Sequence, residues 1–311
     1  MLKKEKLLVL GANGFLGKNV SELLSKDDRY DLLLHNGKED LDLTKQDNLE
    51  KYLALNTVDY VINCAAFVGG IAYGYDYPAD LLTKNSTMAL NIYNSCYKNN
   101  IKFLINPISN CAYPENQELF EEKNFWSGKP HDSVFEYGFS KKLFTALGQA
   151  FYKEYKFNSA NIVLSNMYGP HDHFDEKKSH ALGALIRKIY IAKIENLDTV
   201  QIWGTGNPIR EWLYVEDGAK ALVKSLDLEP NYYFFNVGVN KGITILDMAL
   251  IIANYLKWEG KFELDLTKPD GALEKRVLGS LTEKYLNWLP ETTLEAGIKT
   301  TIDWYIENSH S

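Results

Sequence analysis

The fold is decided near the start of the chain by residues 7–17, which read Leu-Leu-Val-Leu-Gly-Ala-Asn-Gly-Phe-Leu-Gly. The apolar run is typical of a buried parallel strand, and a helical pattern follows it through Leu24. Between strand and helix, Gly11, Gly14 and Gly17 permit a tight turn. They also let backbone N–H groups approach a pyrophosphate at the positive end of the helix. This stretch therefore predicts a dinucleotide-binding site.

Strands and helices continue to alternate along the first half of the chain. Further strands are predicted at 31–34, 58–66, 102–106 and 160–164, and helical periodicity covers about 79–98 and 137–155. Short apolar strands that alternate with helices are typical of a doubly wound parallel sheet. The sequence therefore predicts an α/β fold of the Rossmann type.

Beyond residue 170 the alternation of strands and helices becomes less regular. Helices are predicted at 182–194, 245–256 and 294–306, and strands at 200–203 and 232–237. We expect residues 1–168 to form a dinucleotide-binding Rossmann domain. Residues 169–311 are expected to form mainly a smaller substrate-binding lobe, with some segments returning to the first domain.

Composition narrows the class of protein. The chain has 311 residues, a formal net charge of −7 and no long block of like charge, so no nucleic-acid or polybasic membrane partner is expected. Its three cysteines, Cys64, Cys96 and Cys111, lack the spacing of a zinc site or a disulfide framework, which indicates no metal and a reducing compartment. The apolar run that ends at Gly11 is too short for a signal peptide or a membrane span, and a cytoplasmic protein is predicted.

A phenol and an ammonium group lie four residues apart in Tyr137-Gly138-Phe139-Ser140-Lys141. On a helix this spacing places both side chains on one face. A lysine cation within hydrogen-bonding reach favours the phenolate, which lets a tyrosine serve as general acid or base. The plain alternative is an ordinary amphipathic helix.

Ser109 and Cys111 follow the fourth predicted strand. Ligands of open α/β sheets bind at the carboxyl ends of the strands, so both side chains are predicted to lie where chemistry occurs. The third strand ends in the same way, in Asn63-Cys64-Ala65-Ala66, whose small residues let a cofactor lie close to the backbone.

The choice between nicotinamide cofactors depends on the end of the second strand. It reads His35-Asn36-Gly37-Lys38, where an NAD-selective site usually presents an acid to the ribose hydroxyl. Lys38 could instead meet a 2′-phosphate, so NADPH is predicted over NADH. A solvated loop lysine is the alternative.

The order and spacing of these features resemble the extended short-chain dehydrogenase/reductase family of nucleotide-sugar enzymes, and within it the GDP-L-fucose synthases. The features are Gly11-x-x-Gly14-x-x-Gly17, Ser109, Tyr137-x-x-x-Lys141 and Asn166-Met167-Tyr168-Gly169-Pro170. The resemblance spans almost the whole chain. Further similar stretches are residues 66–71, 77–80, 109–114, 168–172, 179–180, 203–206 and 268–271.

The resemblance implies roles for individual residues. It makes Ser109, Tyr137 and Lys141 the reductase triad, and Cys111 and His180 the pair that epimerises the sugar. The nucleotide cofactor would contact Gly11, Asn13, Gly14, Phe15, Leu16, Gly17, Lys38, Leu43, Ala65, Ala66, Pro107, Ile108, Lys141, Leu164, Ser165, Asn166, Met167 and His180.

The resemblance also implies a substrate and an assembly. The substrate would be a GDP-linked keto sugar, with its GDP end held by Lys188, Trp203, Arg210 and Asp270, and for Trp203 core packing is the alternative. A homodimer would form through the two helices at about 79–99 and 137–155.

The sequence departs from the family pattern in three respects. Ala12 and Asn13 stand where a basic residue is usual, Asn110 replaces a second serine, and Gly183 replaces a proline. Two enzymatic hypotheses therefore stay open: reduction of a GDP-4-keto-6-deoxy sugar at C4 coupled to 3,5-epimerisation, or C4 reduction alone on a related sugar such as a GDP-4-keto-heptose. A non-catalytic dinucleotide-binding regulator is a third hypothesis, since a fold does not dictate a function.

Overall fold

A computed structural model describes residues 4–39, 41–68, 74, 76–175, 179, 181–268, 270 and 273–309. The strands are β1 (Glu5–Leu10), β2 (Tyr30–His35), β3 (Tyr60–Asn63), β4 (Phe103–Ser109), β5 (Leu119–Phe120), β6 (Ser159–Leu164), β7 (Asn166–Tyr168), β8 (Thr199–Trp203), β9 (Ile209–Tyr214), β10 (Tyr232–Val237), β11 (Gly242–Thr244), β12 (Lys261–Asp265) and β13 (Glu274–Val277). The helices are α1 (Phe15–Leu24), α2 (Gln46–Asn56), α3 (Pro78–Lys98), α4 (Phe135–Tyr155), α5 (Ala181–Ile194), α6 (Val215–Lys224), α7 (Ile245–Leu256), α8 (Ser280–Leu286) and α9 (Leu294–Asn308).

Six parallel strands form the central sheet, in the order β10-β6-β4-β3-β1-β2. The strand order reverses between β1 and β3, which is the switch point where ligands of such sheets bind. The doubly wound α/β fold predicted from the sequence is confirmed. One strand comes from far along the chain, since β10 pairs with β6 at the edge of this sheet.

Helices cover both faces of the sheet. Apolar residues of α2, α3 and α4 pack on one face in a cluster that includes Leu49, Ile92 and Phe144. The other face carries α1 and α6, through side chains such as Val20 and Leu222. Burial on both faces explains why the strands are nearly continuous apolar runs.

A second, smaller set of elements comes mostly from the chain beyond β6, with β5 as the exception. Strands β11, β9, β13 and β5 pair in that order, β7 pairs with β9, and β12 pairs with β8. Helices α5, α7 and α9 surround a separate core that includes Ile186, Ile252 and Ile298. The side chains of Thr244 and Thr293 cap α7 and α9 by accepting backbone N–H groups of the first turn, which sets where both helices begin.

Several elements differ from the sequence-based prediction. The third strand ends at Asn63 rather than at 66, because the Asn63 side-chain oxygen accepts the backbone N–H of Ala65 at 3.2 Å and turns the chain. Strands β9 and β13 lie in stretches that showed no clear strand pattern, and each depends on pairing with distant segments.

Candidate active site

The glycine turn that joins β1 to α1 is closely packed against neighbouring backbone atoms. Gly11 has φ +73°, and a Cβ there would lie 2.7 Å from the backbone of Ala65. A Cβ on Gly17 would lie 2.0 Å from the carbonyl oxygen of Gly11. Both positions therefore require glycine, and the turn closes with the Gly14 N–H donating to Gly11 O at 3.0 Å.

The N-terminus of α1 suits an anionic group. Among the described residues, no side chain caps this helix, and its first turn holds no acid. Its first N–H groups and the helix dipole therefore favour a phosphate, so the residues present fit the pyrophosphate of a dinucleotide. Asn13, in the same turn, donates to the carbonyl of Asn36 at 3.0 Å and ties the turn to the end of β2.

The other predicted cofactor residues lie mostly at the same edge of the sheet. Ala65 and Ala66 follow β3, Pro107 and Ile108 are in the last part of β4, and Leu164, Ser165, Asn166 and Met167 run from β6 into β7. The carboxyl ends of neighbouring parallel strands meet at this edge. Leu43 is buried, and its carbonyl accepts from Asn91 at 2.9 Å. Lys38 has a side chain that is 79% exposed and is 3.6 Å from Asp42, so it is accessible to an incoming phosphate.

Ser109 and Cys111 form a close pair. Ser109 Oγ and Cys111 Sγ are 2.9 Å apart, and Ser109 Oγ also accepts the backbone N–H of Cys111 at 3.3 Å. The second contact caps a short 3₁₀ turn at Asn110–Ala112, so the strand end and the turn hold both side chains in place.

Helix α4 brings the phenol and the ammonium group against this pair. Gly138 allows the close approach, since a Cβ there would lie 2.6 Å from the carbonyl oxygen of Cys111. Lys141 is 4% exposed, and its Nζ donates to Pro107 O at 3.4 Å and lies 5.5 Å from the centroid of the Tyr137 ring. Four candidate residues from two distant segments thus share one partly buried cluster.

Burial sets the protonation states of this cluster. It lowers the pKa of Lys141 to about 8, against the opposing effects of Cys111 and Cys64, and it raises the pKa of Tyr137. The sequence argument expected the lysine to favour the phenolate, but desolvation of the phenol is the larger effect here. Near neutral pH Tyr137 is therefore a neutral acid beside a mostly protonated Lys141.

Lys275 is a functional candidate that the sequence argument missed. It lies on β13, in register with Arg210 on β9, and burial together with the charge of Arg210 lowers its pKa. Burial raises the pKa of Cys111, while the Ser109 hydrogen bond and the charges of Lys141 and Lys275 oppose that rise. The sequence argument named His180 as the cation beside Cys111; His180 lies outside the described residues. Only the pairing of β13 with β9 reveals Lys275.

The predicted nucleotide residues lie in the smaller set of elements. Trp203 is 63% exposed, and the Nζ atoms of Lys188 and Lys268 lie 5.5 and 5.4 Å from its ring centroid. This is an exposed aromatic face with two cations, unlike the core packing that was the alternative. The sequence argument included Lys268 in a stretch similar to the family but gave it no binding role.

Arg210 and Asp270 are also placed by local contacts. Burial lowers the pKa of Arg210, and Asp270 opposes that effect. The Asp270 carboxylate accepts from the backbone and the hydroxyl of Thr205, at 2.6 and 2.8 Å. Asp270 therefore stabilises the turn that follows Trp203.

The described residues contain neither a membrane-spanning helix nor a metal-binding cluster. In residues 4–309, apart from the gaps given above, no helix has both the length and the apolar character that a bilayer crossing requires. Within that same part of the chain, no three His, Cys, Asp or Glu side chains converge as they would around a metal ion.

Comparison with known proteins identifies relatives over the whole length. A family model described as the NAD dependent epimerase/dehydratase family matches residues 7–238. GDP-L-fucose synthase 1 of Arabidopsis thaliana is 32% identical over 307 residues, which cover 98% of this chain and 94% of that protein.

Solved structures agree with that match. A GDP-L-fucose synthetase from Naegleria fowleri bound to NADP has a TM-score of 0.92 and 26% identity, and the match covers 100% of this chain and 95% of that one. A GDP-mannoheptose C4 reductase from Campylobacter jejuni with NADP bound has a TM-score of 0.87 and 25% identity, over 98% and 99% of the two chains.

Proposed function

The chain belongs to the NAD dependent epimerase/dehydratase family, and from that membership we propose that it reduces a GDP-4-keto-6-deoxy sugar at C4 with NADPH and epimerises it at C3 and C5. It is an NADP-dependent nucleotide-sugar oxidoreductase. The observation that carries the proposal is the partly buried cluster of Ser109, Cys111, Tyr137 and Lys141 at the carboxyl end of β4.

Reduction of a ketone requires a hydride and a proton. NADPH supplies the hydride when it is bound. Tyr137, held neutral by burial, gives its proton to the oxygen at C4, and Ser109 donates a hydrogen bond to the same oxygen as negative charge develops. Lys141 keeps a positive charge beside the phenol, which stabilises the tyrosinate left after proton transfer.

Epimerisation requires a base beside the carbonyl. A ketone at C4 acidifies the protons on C3 and C5. Cys111 Sγ lies 2.9 Å from Ser109 Oγ, so a sugar whose C4 oxygen meets Ser109 would place its neighbouring carbons close to the thiol. The charges of Lys141 and Lys275 favour its thiolate. We propose His180 as the acid that returns the proton on the opposite face of the sugar.

The GDP part of the substrate fits the exposed surface around Trp203. An aromatic face can stack on a base, and Lys188, Lys268 and Arg210 can neutralise a diphosphate. Asp270 keeps the adjoining turn in place through Thr205.

A second candidate is reduction at C4 without epimerisation, on a related sugar such as a GDP-4-keto-heptose. Two observations favour it. Burial raises the pKa of Cys111, which disfavours the thiolate, and one similar solved structure is a GDP-mannoheptose C4 reductase.

We further propose a cytoplasmic homodimer. Large apolar side chains are exposed on the two helices that the resemblance assigned to the interface, namely Leu90 and Tyr97 on α3 and Phe139 and Tyr155 on α4. Pairing these helices with those of a second copy would bury that surface.

The proposed function is tested by following NADPH oxidation with GDP-4-keto-6-deoxy-mannose as substrate. Tyr137→Phe removes the phenolic proton and keeps the ring, so turnover should fall by about 10²- to 10⁴-fold while NADPH affinity changes little. Tyr152→Phe, which removes a phenol on the same helix away from the cluster, is the control. Near-wild-type turnover in Tyr137→Phe would exclude the assigned role of this residue.

A further inference from the structure

Asn110 lies between the two reactive side chains of the 109–111 segment and takes part in a bridge to β9. Its side chain is 9% exposed, and its Nδ2 donates to Asn166 Oδ1 at 3.2 Å. Asn166 Nδ2 in turn donates to the carbonyl oxygen of Glu211 at 3.1 Å. Two amide side chains therefore connect the Ser109–Cys111 turn to a strand about one hundred residues away in sequence.

The bridge has one possible orientation. A backbone carbonyl only accepts, so Asn166 must present its NH₂ group to Glu211 O and its oxygen to Asn110. Asn110 must then act as the donor. A side chain that cannot donate at position 110 breaks the bridge, and a carboxylate there would oppose one acceptor with another.

The far end of the bridge is firmly held. Glu211 has no exposed surface, and its carboxylate accepts backbone N–H groups of Val239 at 2.6 Å, Asn240 at 3.3 Å and Val277 at 2.5 Å. These bonds join β9 to β13 and to the chain after β10. Arg210 and Lys275, the two cations in register on β9 and β13, lie next to this junction.

We propose that Asn110 is a positioning residue that, through Asn166 and β9, holds Cys111 at a fixed place relative to Arg210 and Lys275. This role deepens the proposed function and rests on it, because a thiol that must reach one carbon of a bound sugar needs a defined position. Neither Asn110 nor Asn166 transfers a proton. Together they hold the 109–111 segment to the lobe that binds the nucleotide.

The test uses the full-length protein and the rate at which iodoacetamide alkylates Cys111, located by mass spectrometry. Asn110→Ala removes the bridge, and alkylation of Cys111 should rise about fivefold, as expected for the loss of one neutral hydrogen bond. Asn110→Asp should raise it at least as much. Asn158→Ala removes an asparagine bond to Lys102 O at the opposite end of β6 and serves as the control, with no change at Cys111 expected.

A second set of variants distinguishes the positioning role from a general destabilisation of the fold. Asn166→Ala should reproduce the effect of Asn110→Ala, and the double variant should be no faster than either single one, since one bridge is broken in all three. With the keto sugar, Asn110→Ala should lower kcat for C3/C5 proton exchange and leave KM nearly unchanged.

The outcomes are distinct. Unchanged Cys111 alkylation in Asn110→Ala, or an equal rise in Asn158→Ala, would overturn the positioning role. If alkylation rises as expected but the wild-type enzyme does not oxidise NADPH with any GDP-keto sugar, the proposed function is wrong and the bridge to Cys111 stands.

Discussion

Replacing Lys141 with methionine should stabilise the folded protein while it abolishes turnover. The lysine is 4% exposed, and burial lowers its pKa from the ordinary 10.5 to about 8. One pKa unit corresponds to about 1.4 kcal/mol, so the buried charge destabilises the folded state by about 3 kcal/mol near pH 7. Methionine keeps most of the volume but loses the hydrogen bond to Pro107 O, worth about 1 kcal/mol, which leaves a net gain of about 2 kcal/mol.

The sign of the pH dependence follows from the lowered pKa. Between pH 8 and 10.5 the unfolded chain holds a proton on Lys141 that the folded chain has released, so the wild-type protein gains stability as pH rises through this window. The advantage of Lys141→Met should therefore be complete at pH 7, fall to zero near pH 10 and reverse at higher pH, where only the lost hydrogen bond to Pro107 O remains.

The assay is urea unfolding of the wild-type protein and Lys141→Met at pH 7 and pH 9.5. Lys51→Met, at an exposed position on α2, is the matched control and should change stability by less than about 0.5 kcal/mol. A Lys141→Met variant that is less stable than wild type at pH 7, or whose difference does not depend on pH, would contradict the argument that desolvation dominates in this cluster.

Two further predictions concern the glycine turn and the contact to the 2′-phosphate of the cofactor. Gly11→Ala should lower the free energy of unfolding by several kcal/mol, because φ is +73° and the added Cβ would lie 2.7 Å from the Ala65 backbone. Gly14→Ala is the control, since its Cβ would lie 3.3 Å from the nearest atom, and it should destabilise the protein much less in thermal unfolding. Similar effects of the two changes would refute this account of the turn. In titration experiments, Lys38→Ala should weaken NADPH binding by about 1.5–3 kcal/mol and leave NADH binding nearly unchanged. Equal effects on both cofactors would reject a contact to the 2′-phosphate.

The Rossmann part of the fold could be predicted because its signals are local. The apolar run before Gly11, the glycine turn and the helical pattern through Leu24 are contiguous, and each agrees with the others. Ser109 was predicted from its place after an apolar strand. The tyrosine and lysine of α4 were predicted from their spacing on one helix.

The remaining features depend on contacts between distant segments. The position of β10 at the edge of the sheet requires pairing with β6, about seventy residues earlier, and Lys275 reaches the site only because β13 pairs with β9. No periodicity in one segment encodes the partner of a strand. The direction of the Tyr137 pKa was predicted wrongly for a related reason, since two residues four positions apart do not reveal how deeply the fold buries them.

The central claim is that one partly buried cluster performs both epimerisation and reduction of a GDP-4-keto sugar. The most direct measurement follows the enzyme with NADPH and GDP-4-keto-6-deoxy-mannose in D₂O, with deuterium at C3 and C5 of the product located by NMR. The account predicts deuterium at these carbons for the wild-type enzyme. It predicts no incorporation for Cys111→Ser, which should still transfer hydride to an already epimerised substrate. Reduction by the wild-type enzyme with no deuterium at either carbon would contradict the epimerase role of Cys111 and leave C4 reduction alone.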